Sequence, residues 1–194
     1  MDKVPHYFIA IPLPTTLKEH YAVWQKQLRQ YLSYKQWPHP KDLHITLKFL
    51  GGVKEPLLLQ LCEALKQIEG LFKFEVETGE IGTFGQSDSP RVLWAGVKLN
   101  SQLHQLYEEV ERIALGLHFP KENRTYRPHI TLAKKWNGPA QLKTLIDIKE
   151  KFSQNVQTLF VNEIVLYKIE PQQSPKYKVI HTYQLSGEMN GTIN

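Results

Sequence analysis

The four-residue sequence His-Ile-Thr-Leu occurs twice in this chain, at residues 44–47 and again at residues 129–132. The offset is 129 − 44 = 85 residues, close to half of the 194-residue chain. Polar and apolar residues alternate in both copies, which is typical of a β-strand with one buried face. Side chains two residues apart on a strand share a face and lie about 6.5–7 Å apart. Each copy therefore presents an imidazole and a hydroxyl together, and turns Ile and Leu towards a core.

The pairing of histidine with threonine favours acid–base chemistry on a phosphate. An imidazole can give or take a proton near neutral pH, and a hydroxyl can donate a hydrogen bond to an anionic oxygen. His44 and His129 are therefore candidate catalytic residues, and Thr46 and Thr131 are candidate phosphate ligands. A single His-x-Thr is a weak motif, and two unrelated strands with chance histidines are the plain alternative. The identical duplication argues for a functional origin.

The 85-residue offset also relates longer stretches. An expected strand at 7–13 corresponds to 92–98, and an expected helix at 56–68 corresponds to 141–153. This constancy favours two similar halves related by an approximate two-fold axis. Such an axis places the two motif strands side by side and points both histidines into one groove.

Hydrophobic periodicity and turn residues predict an α+β fold, with two similar lobes of antiparallel sheet and flanking helices around a central groove. We expect residues 1–186 to form a single bilobal domain and residues 187–194 a flexible tail. The expected elements are strands at 7–13, 42–50, 72–76, 80–84, 91–99, 129–134, 156–169 and 176–185, and helices at 15–34, 56–68, 101–117 and 139–152. Ser101 is the expected cap of the third helix.

Composition places few limits on function. The net charge is 24 − 19 = +5 and the isoelectric point is near 9.1, which favours an anionic partner such as RNA without requiring one. Cys62 is the only cysteine, which fits a reducing compartment, and its apolar surroundings predict a packing role. The sequence contains neither a membrane-spanning run nor a signal peptide, so we expect a cytoplasmic protein without a membrane partner.

The motifs and their neighbours resemble a known family, the 2H phosphoesterases, which are named for two His-x-Thr motifs. The branch that they resemble most is that of the RNA 2′,3′-cyclic phosphodiesterases, also described as 2′-5′ RNA ligase-like proteins. The resemblance rests on residues 7–14, 43–51, 90–97 and 127–133. It implies an enzyme that hydrolyses RNA 2′,3′-cyclic phosphate ends to a 2′-phosphomonoester without a metal. It also implies His44 as proton donor and His129 as proton acceptor, an order that the residues themselves do not fix.

One position departs from the family pattern. An arginine commonly lies five residues after the second histidine, whereas this chain has Lys134 there. A lysine keeps the charge but lacks the bidentate fork of a guanidinium. Strand alternation places Lys48 and Lys135 on the histidine faces, while the resemblance favours Lys134 as the phosphate ligand. A β-bulge would re-aim the side chain, so Lys134 and Lys135 both stay open.

Three aromatic residues near the motifs, Phe49, Phe84 and Tyr126, are candidates for stacking on a base. Core packing is the alternative and is favoured for Phe49 and Phe84. We retain Phe49 and Tyr126 as candidate substrate-binding residues.

A metal site is the chemical alternative for paired histidines, and we expect none. Zinc sites usually need three or more protein ligands, and Asp42 is the only carboxylate two residues from a motif histidine. We expect no cofactor, and we expect a monomer. Two other functions stay open: a non-catalytic module that binds nucleotides or RNA ends, and a phosphodiesterase for small cyclic nucleotides or 2′-5′ oligoadenylates.

Overall fold

The structure is a computed structural model that describes residues 4–187. Within these residues, nine strands form one antiparallel sheet, and four α-helices and two 3₁₀ turns accompany it. The strands are β1 (His6–Pro12), β2 (Tyr34–Gln36), β3 (His44–Gly52), β4 (Phe74–Gly85), β5 (Pro90–Val97), β6 (His129–Trp136), β7 (Gln157–Val161), β8 (Glu163–Ile169) and β9 (Tyr177–Gln184). The helices are α1 (Thr15–Leu28), α2 (Glu55–Ala64), α3 (Ser101–Gly116) and α4 (Leu142–Phe152). The expected α+β class is confirmed.

The sheet has the strand order β7-β4-β5-β6-β3-β1-β8-β9, and β2 pairs with β6 beside this path. The two motif strands, β3 and β6, are neighbours at its centre. Helices cover one face, where the apolar residues of the motif strands join the main core. This core includes Leu17 and Tyr21 of α1, Leu103 and Leu106 of α3, and Ile45, Leu47, Ile130 and Leu132 of the motif strands. The motif histidines lie on the opposite face.

The two halves of the chain exchange strands. β4 comes from the first half but pairs with β5, and β8 comes from the second half but pairs with β1. The 85-residue offset carries residues 78–84 of β4 onto residues 163–169, which are β8. The late strands, which the sequence could not assign, are thus divided: β8 and β9 lie with β1 and β3, and β7 lies with β4, β5 and β6.

Several element boundaries differ from the sequence expectations. The first helix ends at Leu28 rather than residue 34, because Tyr34–Gln36 form β2 and pair with β6. The expected strand 156–169 is two strands that break at Asn162 and pair on different lobes. The expected strands 72–76 and 80–84 are replaced by the single strand β4, which begins at Phe74.

The cap of α3 is Asn100 rather than Ser101, because the Asn100 side chain accepts a 2.8 Å hydrogen bond from the Leu103 amide. Of the expected tail, Gly187 forms a bridge with Phe72, and residues 188–194 lie outside the described part of the chain. Among the described helices, none is long and apolar enough to cross a membrane.

Both motif strands contain a β-bulge at the same point. Against β1, Thr46 pairs with Ala10 and Lys48 pairs with Ile9, so Leu47 is the extra residue. A bulge shifts the alternation of side chains by one position. Consequently Phe49 lies on the histidine face, and Lys48 points into the helical face.

The bulge in β6 repeats this arrangement. Against β5, Thr131 pairs with Trp94 and Ala133 pairs with Leu93, so Leu132 is the extra residue. Lys134 therefore lies on the histidine face, where strand alternation alone had placed Lys135. The Lys135 backbone is left-handed, with φ 62°, and its side chain is exposed.

Candidate active site

The four motif side chains meet where β3 and β6 touch. Ile45 pairs with Ile130 across the two antiparallel strands. The residues on either side of an antiparallel pair also face each other, so His44 lies opposite Thr131 and Thr46 lies opposite His129. All four are half-buried and share the face that the helices leave open. Each histidine is therefore next to the threonine of its own motif and across from that of the other.

The two imidazoles are held in the same way. His44 Nδ1 is 2.7 Å from the carbonyl oxygen of Asp42, and His129 Nδ1 is 2.7 Å from that of Arg127. A carbonyl oxygen only accepts hydrogen bonds, so Nδ1 carries a proton in both rings. In the neutral rings, Nε2 is therefore the nitrogen that carries no proton and can accept one. The carbonyl lies two residues before each histidine, so the local backbone sets the tautomer twice over.

The Thr46 hydroxyl also binds His44. Its Oγ1 is 3.0 Å from His44 Nε2, so the hydroxyl donates to the lone pair of the neutral ring. This bond uses the one hydrogen that the Thr46 hydroxyl can donate. An arriving anionic oxygen can take over that donor, because a hydroxyl rotates freely about its C–O bond.

Aromatic rings enclose both histidines, and sequence reasoning missed most of them. The ring centroids of Phe8 and Tyr177 lie 4.8 Å and 5.2 Å from that of His44. On the other side, Phe84 and Trp94 lie 4.9 Å and 6.1 Å from His129. The available signal for Phe8 was the run of apolar residues at consecutive positions of β1, since a strand with both faces apolar packs on both sides.

The pKa of His44 is lowered to about 4, mainly by burial and also by the nearby charge of Lys134, against the opposing bond to the Asp42 carbonyl oxygen. Burial also lowers the pKa of His129, with a smaller contribution from Lys134. Both shifts favour the neutral imidazole at pH 7. Loss of solvation and the charge of Lys176 lower the pKa of Lys134 as well. A site that holds excess positive charge and little water favours an anion.

The structure brings together most of the predicted site residues. Lys134 lies close enough to lower the pKa of both histidines through its positive charge. Phe49 is 57% exposed and lies edge-on to His6, with 6.2 Å between ring centroids, at one end of the groove. The expectation that core packing explains Phe49 is thus wrong, because the bulge at Leu47 turns the ring outward.

The expectation that Lys48 lies on the histidine face is also wrong. Its ammonium group is buried on the helical face, 2.7 Å and 2.9 Å from the two carboxylate oxygens of Glu111. It also donates a 2.7 Å hydrogen bond to the Pro120 carbonyl oxygen. Lys48 therefore anchors the segment that precedes the second motif.

Tyr126 contacts both Tyr107 and the first bulge. Its ring stacks on Tyr107 with 4.0 Å between centroids and 6° between planes, so one of its faces is already covered. Its hydroxyl donates a 3.3 Å hydrogen bond to the Thr46 carbonyl oxygen beside the first bulge. Gln25 plays the matching part at the second bulge, where its amide donates to the Leu132 carbonyl oxygen at 2.9 Å. Each bulge is thus secured by a side chain from the other half of the chain.

No group of three or more His, Cys, Asp or Glu side chains among residues 4–187 is arranged to hold a metal ion. The nearest carboxylate to His44 in sequence, Asp42, is buried and bound elsewhere. Its oxygens accept hydrogen bonds of 2.9–3.2 Å from the Lys176 and Tyr177 amides. Asp42 thus ties the start of β9 to the start of β3 and holds Tyr177 against His44.

Comparison of the sequence with known proteins finds close relatives. The chain is 34% identical over 187 residues to the RNA 2′,3′-cyclic phosphodiesterase of Bacillus subtilis, with 95% of this chain and 99% of that protein aligned. It is 35% identical over 195 residues to the protein of the same name from Geobacillus stearothermophilus. That match covers 97% of this chain, which spans 60% of the length of the Geobacillus protein.

Solved structures share the fold. A Thermus thermophilus protein superposes with a TM-score of 0.76 at 23% identity, covering 95% of this chain and 100% of that one. Escherichia coli LigT superposes with a TM-score of 0.73 at 22% identity, covering 94% and 99%. A sequence profile described as LigT like Phosphoesterase matches residues 11–94 and 97–177, one stretch in each half. The chain therefore belongs to the LigT-like phosphoesterase family.

Proposed function

We propose that the protein hydrolyses the 2′,3′-cyclic phosphate end of RNA to a 2′-phosphomonoester. The observation that carries this proposal is the pair of imidazoles on one face of adjacent strands, each with Nδ1 bonded to a backbone carbonyl oxygen, which leaves Nε2 as the nitrogen that can take up a proton. The names of the Bacillus and Geobacillus relatives support the same reaction. An acid and a base held on two sides of one groove suit a displacement at phosphorus, where water enters opposite the leaving oxygen.

The proposed reaction uses both histidines once. His129 Nε2 accepts a proton from water as its oxygen bonds to phosphorus. The bond from phosphorus to the ribose 3′ oxygen breaks, and His44 Nε2 gives that oxygen a proton. The resemblance to the family, rather than the geometry, assigns this order. The low pKa of His44 requires the bound phosphate to raise it, because a nearby negative charge stabilises the protonated imidazole.

Three groups are proposed to stabilise the charge on the phosphoryl oxygens. The hydroxyls of Thr46 and Thr131 lie beside the two histidines, and the ammonium of Lys134 lies near both. Donors already in position stabilise developing charge without reorganising during the reaction. Phe49, exposed on the same face, is the proposed platform for the terminal base.

We further propose a monomeric, cytoplasmic enzyme in which residues 1–186 act as one bilobal unit. The strand exchange between β4 and β8 supports the single unit, because neither half has its own complete sheet. Both motifs come from one chain, so the groove needs no second copy. The single cysteine, Cys62, is free and suits a reducing compartment. Light scattering in line with size-exclusion chromatography tests the monomer.

The reaction is tested with an oligonucleotide that ends in a 2′,3′-cyclic phosphate, in excess EDTA, with end-group analysis. The variants are His44→Asn and His129→Asn, because an asparagine amide can still donate to the carbonyl that holds Nδ1. Each variant should lose about 10²–10⁴-fold in rate. His104→Asn is the matched control, since His104 lies on the exposed surface of α3 and pairs with Glu108.

Near wild-type turnover in either folded motif variant would exclude the acid–base roles. Loss of turnover in EDTA with recovery on adding one divalent metal would replace the proposal with a metal-dependent mechanism. Binding of the oligonucleotide without turnover by the wild-type protein would indicate a binding module instead.

A further inference from the structure

A cleft of about 430 Å³ opens beside the histidine groove. Its walls come from the end of α1, from β2 and the turn that follows it, and from the β8–β9 connection. Cavities of this size fall within the range that binds small molecules and nucleotides. The residues that line it are Arg29, Lys35, Gln36, Trp37, Pro38, His39, Pro40, Asp42, Lys134, Ser174, Lys176 and Tyr177.

The cleft carries an excess of positive charge that the protein does not neutralise. Arg29, Lys35, Lys134 and Lys176 line it, and none of them makes an ion pair with a carboxylate of residues 4–187. Asp42 is the only carboxylate in the lining, and it is 5% exposed and bonded to backbone amides. Cations held together in a concave wall without counter-charges repel one another, and an anionic ligand relieves that repulsion.

The cleft adjoins the histidine groove through two residues. Lys134 belongs to both, since it lines the cleft and lies near His44 and His129. Tyr177 lies between them, with its ring centroid 5.2 Å from that of His44. A ligand whose phosphate reaches the histidines can therefore extend past Lys134 and Tyr177 into the cleft.

We propose that this cleft binds the nucleotide and phosphodiester on the 5′ side of the terminal cyclic phosphate of a single-stranded RNA. The inference rests on the proposed function. A 2′,3′-cyclic phosphate occupies the 3′ end of a strand, so the rest of the RNA continues in the 5′ direction only. The substrate that uses the whole site is thus an oligonucleotide of at least two residues rather than a cyclic mononucleotide.

Arg29 and Trp37 supply the part of the cleft that suits a base. The Arg29 guanidinium lies over the Trp37 ring, 5.1 Å from its centroid. The Trp37 indole nitrogen donates a 3.2 Å hydrogen bond to the Tyr34 carbonyl oxygen, which fixes the ring. Flat guanidinium and aromatic surfaces stack unstacked RNA bases without selecting their sequence. Lys35 and Lys176 are free to contact the phosphodiester.

The test compares two substrates that share the same terminal nucleotide: cytidine 2′,3′-cyclic phosphate and a pentanucleotide that ends in it. The variants are Arg29→Ala and Lys35→Ala, singly and together, because neither side chain belongs to the histidine groove. Lys66→Ala is the matched control for each single variant, since it removes one positive charge from an exposed lysine that pairs with Glu63 and does not line the cleft.

The ratio of kcat/KM for the pentanucleotide to kcat/KM for the mononucleotide should fall about tenfold in the double variant, mainly through KM, and stay constant in Lys66→Ala. The dependence of log KM on log salt should also become shallower, by about 0.7 for each lost phosphate contact. An unchanged ratio overturns the proposal, whether both substrates lose activity together or neither does.

A binding measurement separates failure of the cleft from failure of the proposed function. Fluorescence anisotropy of a 5′-labelled pentanucleotide should show weaker binding to the double variant than to the wild-type protein and to Lys66→Ala. If the wild-type protein hydrolyses neither substrate, the proposed function fails. The anisotropy measurement alone then shows whether the cleft binds the RNA. In that case, equal affinity of the three proteins for the pentanucleotide overturns the proposal that the cleft binds RNA.

Discussion

Lys48→Met tests how much the buried ion pair on the helical face stabilises the fold. Lys48 is 5% exposed, and its ammonium binds both oxygens of Glu111 and the Pro120 carbonyl oxygen. Methionine fills a similar volume but leaves the Glu111 carboxylate buried with one remaining bond, a 3.4 Å contact from the Glu122 amide. Breaking a buried pair from one side typically costs about 3–5 kcal/mol. At about 2–4 °C per kcal/mol for a chain of this size, the melting temperature should fall by about 6–20 °C.

Urea unfolding followed by circular dichroism measures the loss in the free energy of unfolding. The double variant Lys48→Met/Glu111→Leu should recover most of the stability, because it removes both charges together. Lys98→Met is the matched control, since the Lys98–Glu77 pair has a similar distance of 3.0 Å but is solvent-exposed, and it should cost less than about 1 kcal/mol. A loss below about 1 kcal/mol for Lys48→Met, or a double variant no more stable than the single, would refute the reasoning.

Two further predictions concern the groove. Lys134→Ala should raise KM more than it lowers kcat, and Lys134→Arg should restore binding, because a phosphate ligand acts on the bound substrate as well as on the transition state; an effect from Lys135→Ala instead would reassign the ligand. The pH optimum of kcat/KM should lie below 6.5. A bell-shaped profile is centred between the pKa values of the acid and the base, and burial lowers the pKa of His44 to about 4 and also lowers that of His129. The optimum of kcat should lie at higher pH, because the bound phosphate raises the pKa of both rings, and coinciding optima at or above pH 7 would contradict this account.

The sequence predicted the features that depend on local pattern. The duplicated motif and its alternation placed His44, Thr46, His129 and Thr131 on strands, and β3 and β6 are strands with those residues on one face. The constant 85-residue offset anticipated the neighbouring motif strands. These inferences succeeded because a two-residue period and a repeated order of elements are both visible in the amino-acid sequence.

The features that the sequence missed depend on distant pairing. The bulges at Leu47 and Leu132 arise where β1 and β5 pair with the motif strands in shifted register. As a result, Phe49 rather than Lys48 lies on the groove face of β3, and Lys134 rather than Lys135 lies on the groove face of β6. A period-2 pattern contains no information about such a shift. In the same way, β2 looked like the end of a helix, because its partner on β6 lies about 100 residues away in the chain.

The position of the cleaved bond tests the central claim most directly. In the proposed mechanism, the two imidazoles, each fixed at Nδ1, act from different sides of phosphorus. A cyclic phosphate then binds productively in one orientation only, with a single ribose oxygen facing the acid. Phosphorus NMR of the product from a 2′,3′-cyclic-phosphate-ended oligonucleotide identifies the monoester that forms. The account predicts a 2′-phosphomonoester alone. A mixture of the 2′ and 3′ isomers would contradict a fixed acid and base, and a 3′-phosphomonoester alone would contradict the proposed orientation.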